Sequence, residues 1–160
     1  MNKQAVLLDT SFFLRFLKES DPLFNNADSY YKYFLNKNID MVISTIAIAE
    51  YCVGGNINEL PLKDIQILPF NIDHAKRAGE FAKVVFNNKG SLKLQERNII
   101  PNDSKLFAQA DFEKGISFYL SSDTESSKIY NLLKNYFTMN FQFLDLSQNC
   151  LDAFGELDLK

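Results

Sequence analysis

Four acidic residues stand where an otherwise apolar pattern has little use for charge. In "VLLDTSFFLRFL", Asp9 separates two apolar runs, at the point where a buried strand would hand over to a helix. Asp123, in "ISFYLSSDTES", follows the end of another apolar run, and Asp103, in "IIPNDSKLFAQA", opens a helical pattern. Glu50, in "STIAIAEYCVGG", shares a helix face with Ile46 and Val53, which sets a carboxylate on an apolar stripe. No Lys or Arg lies within one turn of it. An unpartnered buried charge is costly, so Glu50 calls for a bound cation, a protonated carboxyl or a hydrogen-bond network. The three aspartates have a simpler alternative, because each precedes or opens a helix where its side chain could cap free N–H groups. Taken together, oxygen-only donors suit hard cations such as Mg2+ and Mn2+, which keep waters that a phosphate can displace. Cys52 and Cys150 are far apart and outside any CxxC spacing, so they suggest neither zinc nor a redox pair and read as reduced packing residues.

The elements that must position these residues alternate. "QAVLL" reads as a strand, followed by a helix from about Thr10 to Lys18 that Asp21-Pro22 terminates, then a helix from about Asn26 to Leu35. "DMVIS" is a second strand, and Ser44 or Thr45 caps a helix carrying "IAIAEYCV" up to Gly54-Gly55. "IQILPF" reads as an edge strand because Pro69 cannot donate to a ladder. Asp73 opens an amphipathic helix through Val85, and residues 87–102 form a long polar connection. A helix from Asp103 to Lys114, the strand "GISFYL", a helix from Thr124 to Tyr136, the strand "FQFLDL" and a short terminal helix complete the chain. Strands separated by helices imply a mostly parallel sheet covered on both faces, in one α/β domain spanning residues 1–160. In such folds ligands bind outside the carboxyl ends of the strands, where Asp9 and Asp123 would lie.

Composition bounds the rest. With 160 residues, 46% of them hydrophobic, the chain can bury a core without disulfides or a structural metal. The four apolar residues before Asp9 are too few for a signal-peptide core or a membrane span, so a cytoplasmic protein is expected. A net charge of -3 argues against coating nucleic acid by bulk charge, though a local basic patch remains compatible with it.

"LLDTSFFLRFL", "STIAIAEYCVGG", "PNDSKLFAQADFEKG" and "FYLSSDTES", in this order, resemble the acidic motifs of PIN-domain proteins, especially the VapC-type ribonuclease toxins of bacterial toxin-antitoxin pairs. The likeness runs from Leu7 to about Leu133. It implies a PIN-like three-layer α/β/α fold and a metal-dependent endoribonuclease in which Asp9, Glu50, Asp103 and Asp123 hold one or two Mg2+ or Mn2+ ions. It also implies supporting roles for Ser11 and Ser121, products with a 5′-phosphate and a 3′-hydroxyl, a small antitoxin partner and a homodimer. Glu125 stands where a further acidic residue is frequent in that family, and the polar segment 87–102 is longer than in a minimal member.

An acidic site needs cations nearby to accept a phosphodiester backbone. Lys89, Lys93, Arg97 and Lys105 are the candidates for RNA binding, with Arg15 and Lys18 behind them; the alternative is a solvated loop and helix face. His74, the lone histidine, follows Asp73 and reads as a surface residue. Tyr30, Tyr31, Tyr33 and Phe34 cannot all face inward from one helix, so some of them are expected to meet a partner. A catalytically silent RNA- or protein-binding module of the same fold is the alternative to an enzyme, and a DNA nuclease is a third reading. A haloacid-dehalogenase-type phosphatase would need a second aspartate where Ser11 stands.

Overall fold

The computed structural model describes residues 3–88 and 101–156. Its strands are β1 (Ala5–Leu8), β2 (Asp40–Ser44), β3 (Gln66–Leu68), β4 (Ile116–Ser121) and β5 (Gln142–Asp145). They form one five-stranded sheet in the order β3-β2-β1-β4-β5, and every pairing is parallel. β1 is central and buried at all its positions, as an unbroken apolar run requires of a strand covered on both faces. β3 is an edge strand, as Pro69 demands, and stops one residue before it.

The helices are α1 (Thr10–Phe16), α2 (Phe24–Asn36), α3 (Thr45–Tyr51), α4 (Ile72–Asn87), α5 (Asn102–Phe112), α6 (Thr124–Lys134) and α7 (Cys150–Ala153). α2 and α7 pack together on one face of the sheet, and α4, α5 and α6 on the other. Successive residues of β4 show the two layers: the Phe118 ring lies 5.3 Å from Phe154, just after α7, whereas Tyr119 lies 4.8 Å from Phe107 of α5. Phe107 is fully buried and also meets the rings of Tyr130, Phe141 and Phe143. Register then sets the site. Leu8 is level with Ile43 on one side and Leu120 on the other, so the next residues of the three strands, Asp9, Ser44 and Ser121, emerge together at the carboxyl edge.

Several expectations are corrected by the packing. His74 is not a surface residue but fully buried. The helix cap is Asn71 rather than Asp73, which shifts the phase so that His74 joins Ala78, Phe81, Ala82 and Val85 on the inner face. Its Nδ1 accepts from the Asn71 N–H and its Nε2 lies 2.8 Å from Glu113 Oε1, so both ring nitrogens are satisfied. Val53 lies beyond the end of α3 and is 89% exposed, so the inner face of that helix is Ala47 and Tyr51, with Glu50 beside it. Gly55 closes the turn that follows, where a Cβ would fall 2.5 Å from the Tyr51 ring. On α2, as expected, not all the aromatic residues face inward: Tyr30 and Phe34 are buried, whereas Tyr31, stacked on Phe16 at 4.7 Å, and Tyr33, stacked on Phe154 at 4.3 Å, stay partly exposed. Cys150 is buried and its thiol pushed up to about 12 by burial, whereas Cys52 is exposed rather than packed.

Because Phe107 joins α5 to β4, β5 and α6, its removal leaves a cavity that these rings cannot collapse to fill. Phe107→Ala is expected to lower unfolding free energy by about 3–5 kcal/mol, measured by urea denaturation with an unchanged slope.

Candidate active site

Asp9 leaves the end of β1 and is the N-cap of α1, its Oδ1 accepting from the Thr10 N–H at 2.7 Å. Asp123, two residues past β4, caps α6 in the same way through the Glu125 N–H at 2.8 Å. Both aspartates therefore serve the capping role and face the carboxyl edge at once. Asp103 is not the cap of its helix: Pro101 holds that position, and Asp103 sits buried in the first turn of α5, where a carboxylate is favoured by the helix dipole. Glu50 is the penultimate residue of α3 and half-buried. All four carboxylates, with Thr10, Ser11, Leu14 and Asn102, line one cavity of about 280 Å³.

The carboxylates are cross-braced. Ser121 Oγ donates to Asp9 Oδ2 at 2.7 Å and Ser11 Oγ to the same oxygen at 3.0 Å. These hydroxyls in turn accept from backbone, Ser11 from the Ser122 N–H and Ser121 from the Asp123 N–H, both at 3.0 Å. Thr10 Oγ1 donates to Glu50 Oε2 at 2.6 Å, and Asn102 Nδ2 donates to Glu50 Oε1. Ser126 Oγ donates to Asp103 Oδ1. The donors holding Asp9, Glu50 and Asp103 thus include one on the element of a different carboxylate, so β1, α3, α5 and α6 are tied to one another through the site. For Glu50 a hydrogen-bond network is one of the three expected solutions, and it is present.

Burial pushes the Asp9 carboxyl above its usual 3.8; the hydroxyls of Ser121 and Ser11 oppose this shift, and the nearby Glu50 charge adds to it. Tyr119, fully buried on the inner side of β4, is raised well above the tyrosine range, first by burial and then by Asp9, Asp103, Glu50 and Asp123 together. The four negative charges therefore act on one region. Asp111, a buried carboxylate at the opposite end of α5, makes an instructive contrast. It is neutralised by Arg77, whose Nε and Nη2 donate to its Oδ2 at 2.9 and 2.7 Å. Among the described residues Asp9 and Glu50 have only neutral donors, which orient their oxygens and leave their charge in place. Such a donor set fits a hard cation. Among the described residues no three Asp, Glu, His or Cys side chains form a group close enough to hold a metal ion as they stand. At roughly 30 Å³ per water, the cavity has room for several.

Of the remaining expected residues, Ser11 and Ser121 lie against Asp9, and Glu125 reaches Asp123 through its backbone N–H. Lys105 is half-buried at the start of α5, its Nζ 3.3 Å from Asn102 Oδ1. Lys89, Lys93 and Arg97 lie outside the described residues. Arg15 is engaged by Asp21 at 2.9 Å. Thr10, Asn102 and Ser126 are the participants that the sequence reading overlooked; the available signal was that each is a donor placed next to, or three residues after, one of the acidic positions.

No protein-family model matches the sequence, and no curated protein matches it. Solved structures do. VapBC2 from Rickettsia felis, bound to a DNA fragment from their promoter, superposes with a TM-score of 0.56 at 20% identity, over 89% of this chain and 100% of that one. FitAcB from Neisseria gonorrhoeae gives a TM-score of 0.63 at 16% identity, over 89% and 99%. Mycobacterium tuberculosis VapC20, described as a Sarcin-Ricin loop cleaving toxin, gives 0.52 at 17% identity, over 77% and 93%. At these identities the likeness is one of fold.

The raised Asp9 fixes a sign. From pH 3.8 up to its folded value the native state holds this proton more tightly than the unfolded chain, so stability is lost as pH rises through that window. Asp9→Asn removes the buried charge, and both serine hydroxyls retain a lone pair to accept from the new amide. The variant is expected to melt higher than the parent at pH 7 in EDTA, by about 3 °C per kcal/mol relieved, with the difference fading as pH approaches 4. Thermal melts across that range check it; a lower melting temperature at every pH would mean that the lost acceptor outweighs the charge.

Proposed function

We propose that this chain, which has the α/β fold of VapC-like PIN domains, is a Mg2+- or Mn2+-dependent endoribonuclease and the toxin of a toxin-antitoxin pair, acting as one domain over residues 1–160. The observation that carries the reading is the group of four carboxylates, three of them cross-braced, around one cavity at the carboxyl edge of a parallel sheet. The VapBC and FitAcB neighbours support a small antitoxin as partner and a homodimer as the assembled state, and VapC20 supports RNA as the substrate class. Among the described residues no helix is long and apolar enough to cross a membrane.

In this reading Asp9, Glu50, Asp103 and Asp123 hold the ion, directly or through water, with Ser11, Ser121 and Glu125 in support. When bound, it supplies positive charge for the phosphodiester oxygens and acidity for an attacking water. The chain supplies placement. The hydrogen-bond brace keeps the carboxylates fixed so that little reorganisation is needed when a phosphate arrives. In-line attack at phosphorus then breaks the bond to the 3′ oxygen, leaving a 3′-hydroxyl and a 5′-phosphate. Lys105, with Lys89, Lys93 and Arg97, offsets the repulsion between the acidic site and the RNA backbone. A recessed cavity with Leu14 at its rim, 55% exposed, favours single-stranded or loop RNA, whose unstacked nucleotides can be splayed into it. The second reading, a PIN-fold module that binds RNA or protein without cleaving, is favoured by the lack of a close three-ligand group among the described residues.

Cleavage of a loop-containing RNA is expected with Mg2+ or Mn2+ and absent in excess EDTA, and Asp123→Asn should abolish it. Cleavage that survives EDTA would overturn the metal mechanism, and an RNA bound but intact at all metal concentrations would favour the binding module. Offering DNA of the same sequence separates the two nuclease readings. Lys105→Ala should weaken RNA binding and reduce the slope of log affinity against log salt by about one phosphate contact's worth. An unchanged slope would remove Lys105 from the phosphate track.

A further inference from the structure

We infer that Asn102 is a positioning residue for Glu50, and that Lys105 sets the direction in which its amide points. The inference rests on the metal-dependent reading above. Glu50 is the longest of the four acidic side chains and the only one on the short helix α3, so its carboxylate has the most rotamer freedom to lose. Two donors remove that freedom from opposite sides. Thr10, from the start of α1, takes Oε2, and Asn102, from the start of α5, takes Oε1. Each carboxylate oxygen has a second lone pair, so the clamp leaves one acceptor direction per oxygen for a cation or its water.

An asparagine amide can present either its oxygen or its nitrogen, and only the nitrogen holds a carboxylate. Lys105, one turn along α5, resolves this choice: its ammonium donates to Asn102 Oδ1, which leaves Nδ2 to face Glu50. The chain Lys105, Asn102, Glu50 therefore transmits a donor direction from the first turn of α5 to α3. Asn102 does not cap α5, whose cap is Pro101, so the helix does not need this side chain. Polar partners of metal-ligating side chains of this kind typically change metal affinity by about 10–100-fold when removed.

The test uses Mn2+ binding to the full chain by calorimetry, together with kcat and KM for RNA cleavage. Asn102→Ala is expected to bind Mn2+ at least about tenfold more weakly and to lose kcat with little change in KM, at an unchanged fold by circular dichroism. Asn102→Gln, which keeps the donor on a longer arm, should recover part of the Mn2+ affinity. In a Glu50→Gln background, Asn102→Ala should have no further effect on Mn2+ affinity, because its role passes through Glu50. Parent-like Mn2+ binding by Asn102→Ala, or an equal loss in both backgrounds, would overturn the inference and leave the nuclease reading intact. A parent that binds no Mn2+ would overturn both.

Discussion

The buried carboxylate at the end of the central strand is the constraint to which the site is fitted. β1 is enclosed by strands on both sides and helices on both faces, so the residue that ends it leaves the sheet in a largely dry place. An aspartate there loses hydration that a surface aspartate would keep, and the surrounding structure answers with three donors: the Thr10 N–H and the Ser121 and Ser11 hydroxyls. These donors lie on β1's own outgoing turn and on β4, its neighbour in the sheet, which explains why a parallel pairing with that register is needed. The same logic extends outward. Once Thr10 is held by the cap of α1, its hydroxyl is in place for Glu50, and α3 is drawn to the edge of the sheet beside α5.

Like charges gathered at about 5 Å repel by roughly 3 kcal/mol per pair at an effective dielectric near 20. A fold can answer this with a paired cation, as the Arg77 guanidinium does for Asp111, where the side chain is held between the Phe81 and Phe137 rings and bonded to Glu80 as well. Neutral donors around Asp9 and Glu50 instead preserve the negative potential while fixing the geometry. Asp9 and Asp111, both buried, are thus treated in opposite ways, and the difference separates a residue that ties elements together from one whose charge is left available.

The acidic positions were legible because each sits at a junction between recognisable elements: a strand end for Asp9 and Asp123, a helix start for Asp103. The sheet order was not legible, since nothing local says that β1 lies between β2 and β4, yet a mostly parallel sheet followed from the alternation of strands and helices, and every pairing proves parallel. Glu50 was identified for a partly mistaken reason. The helix ends before Val53, so the stripe that seemed to contain Glu50 does not exist as drawn, and the carboxylate lies beside the buried face rather than on it. His74 was misplaced by the same kind of error, a cap assigned two residues late. Thr10, Asn102 and Ser126 escaped notice because uncharged donors carry no signal in composition, and the partners they hold are 40, 52 and 23 residues away.

Those separations bear on synthesis. The neighbours of β1 in the finished sheet include β4, whose Ser121 reaches Asp9 across 112 residues of chain. A growing polypeptide that has emerged only as far as α4 possesses β1, β2 and β3, but it lacks both the Ser121 hydroxyl that Asp9 accepts from and the helix that carries Asp103. At translation rates of about 5–20 residues per second, the chain therefore spends seconds on the ribosome with its acidic groups unassembled. The pairing of β1 with β4 is a long-range one, whose loop-closure entropy must be met before its contacts form. A nascent chain released early, or cut short before Ser126, has no route to the braced arrangement.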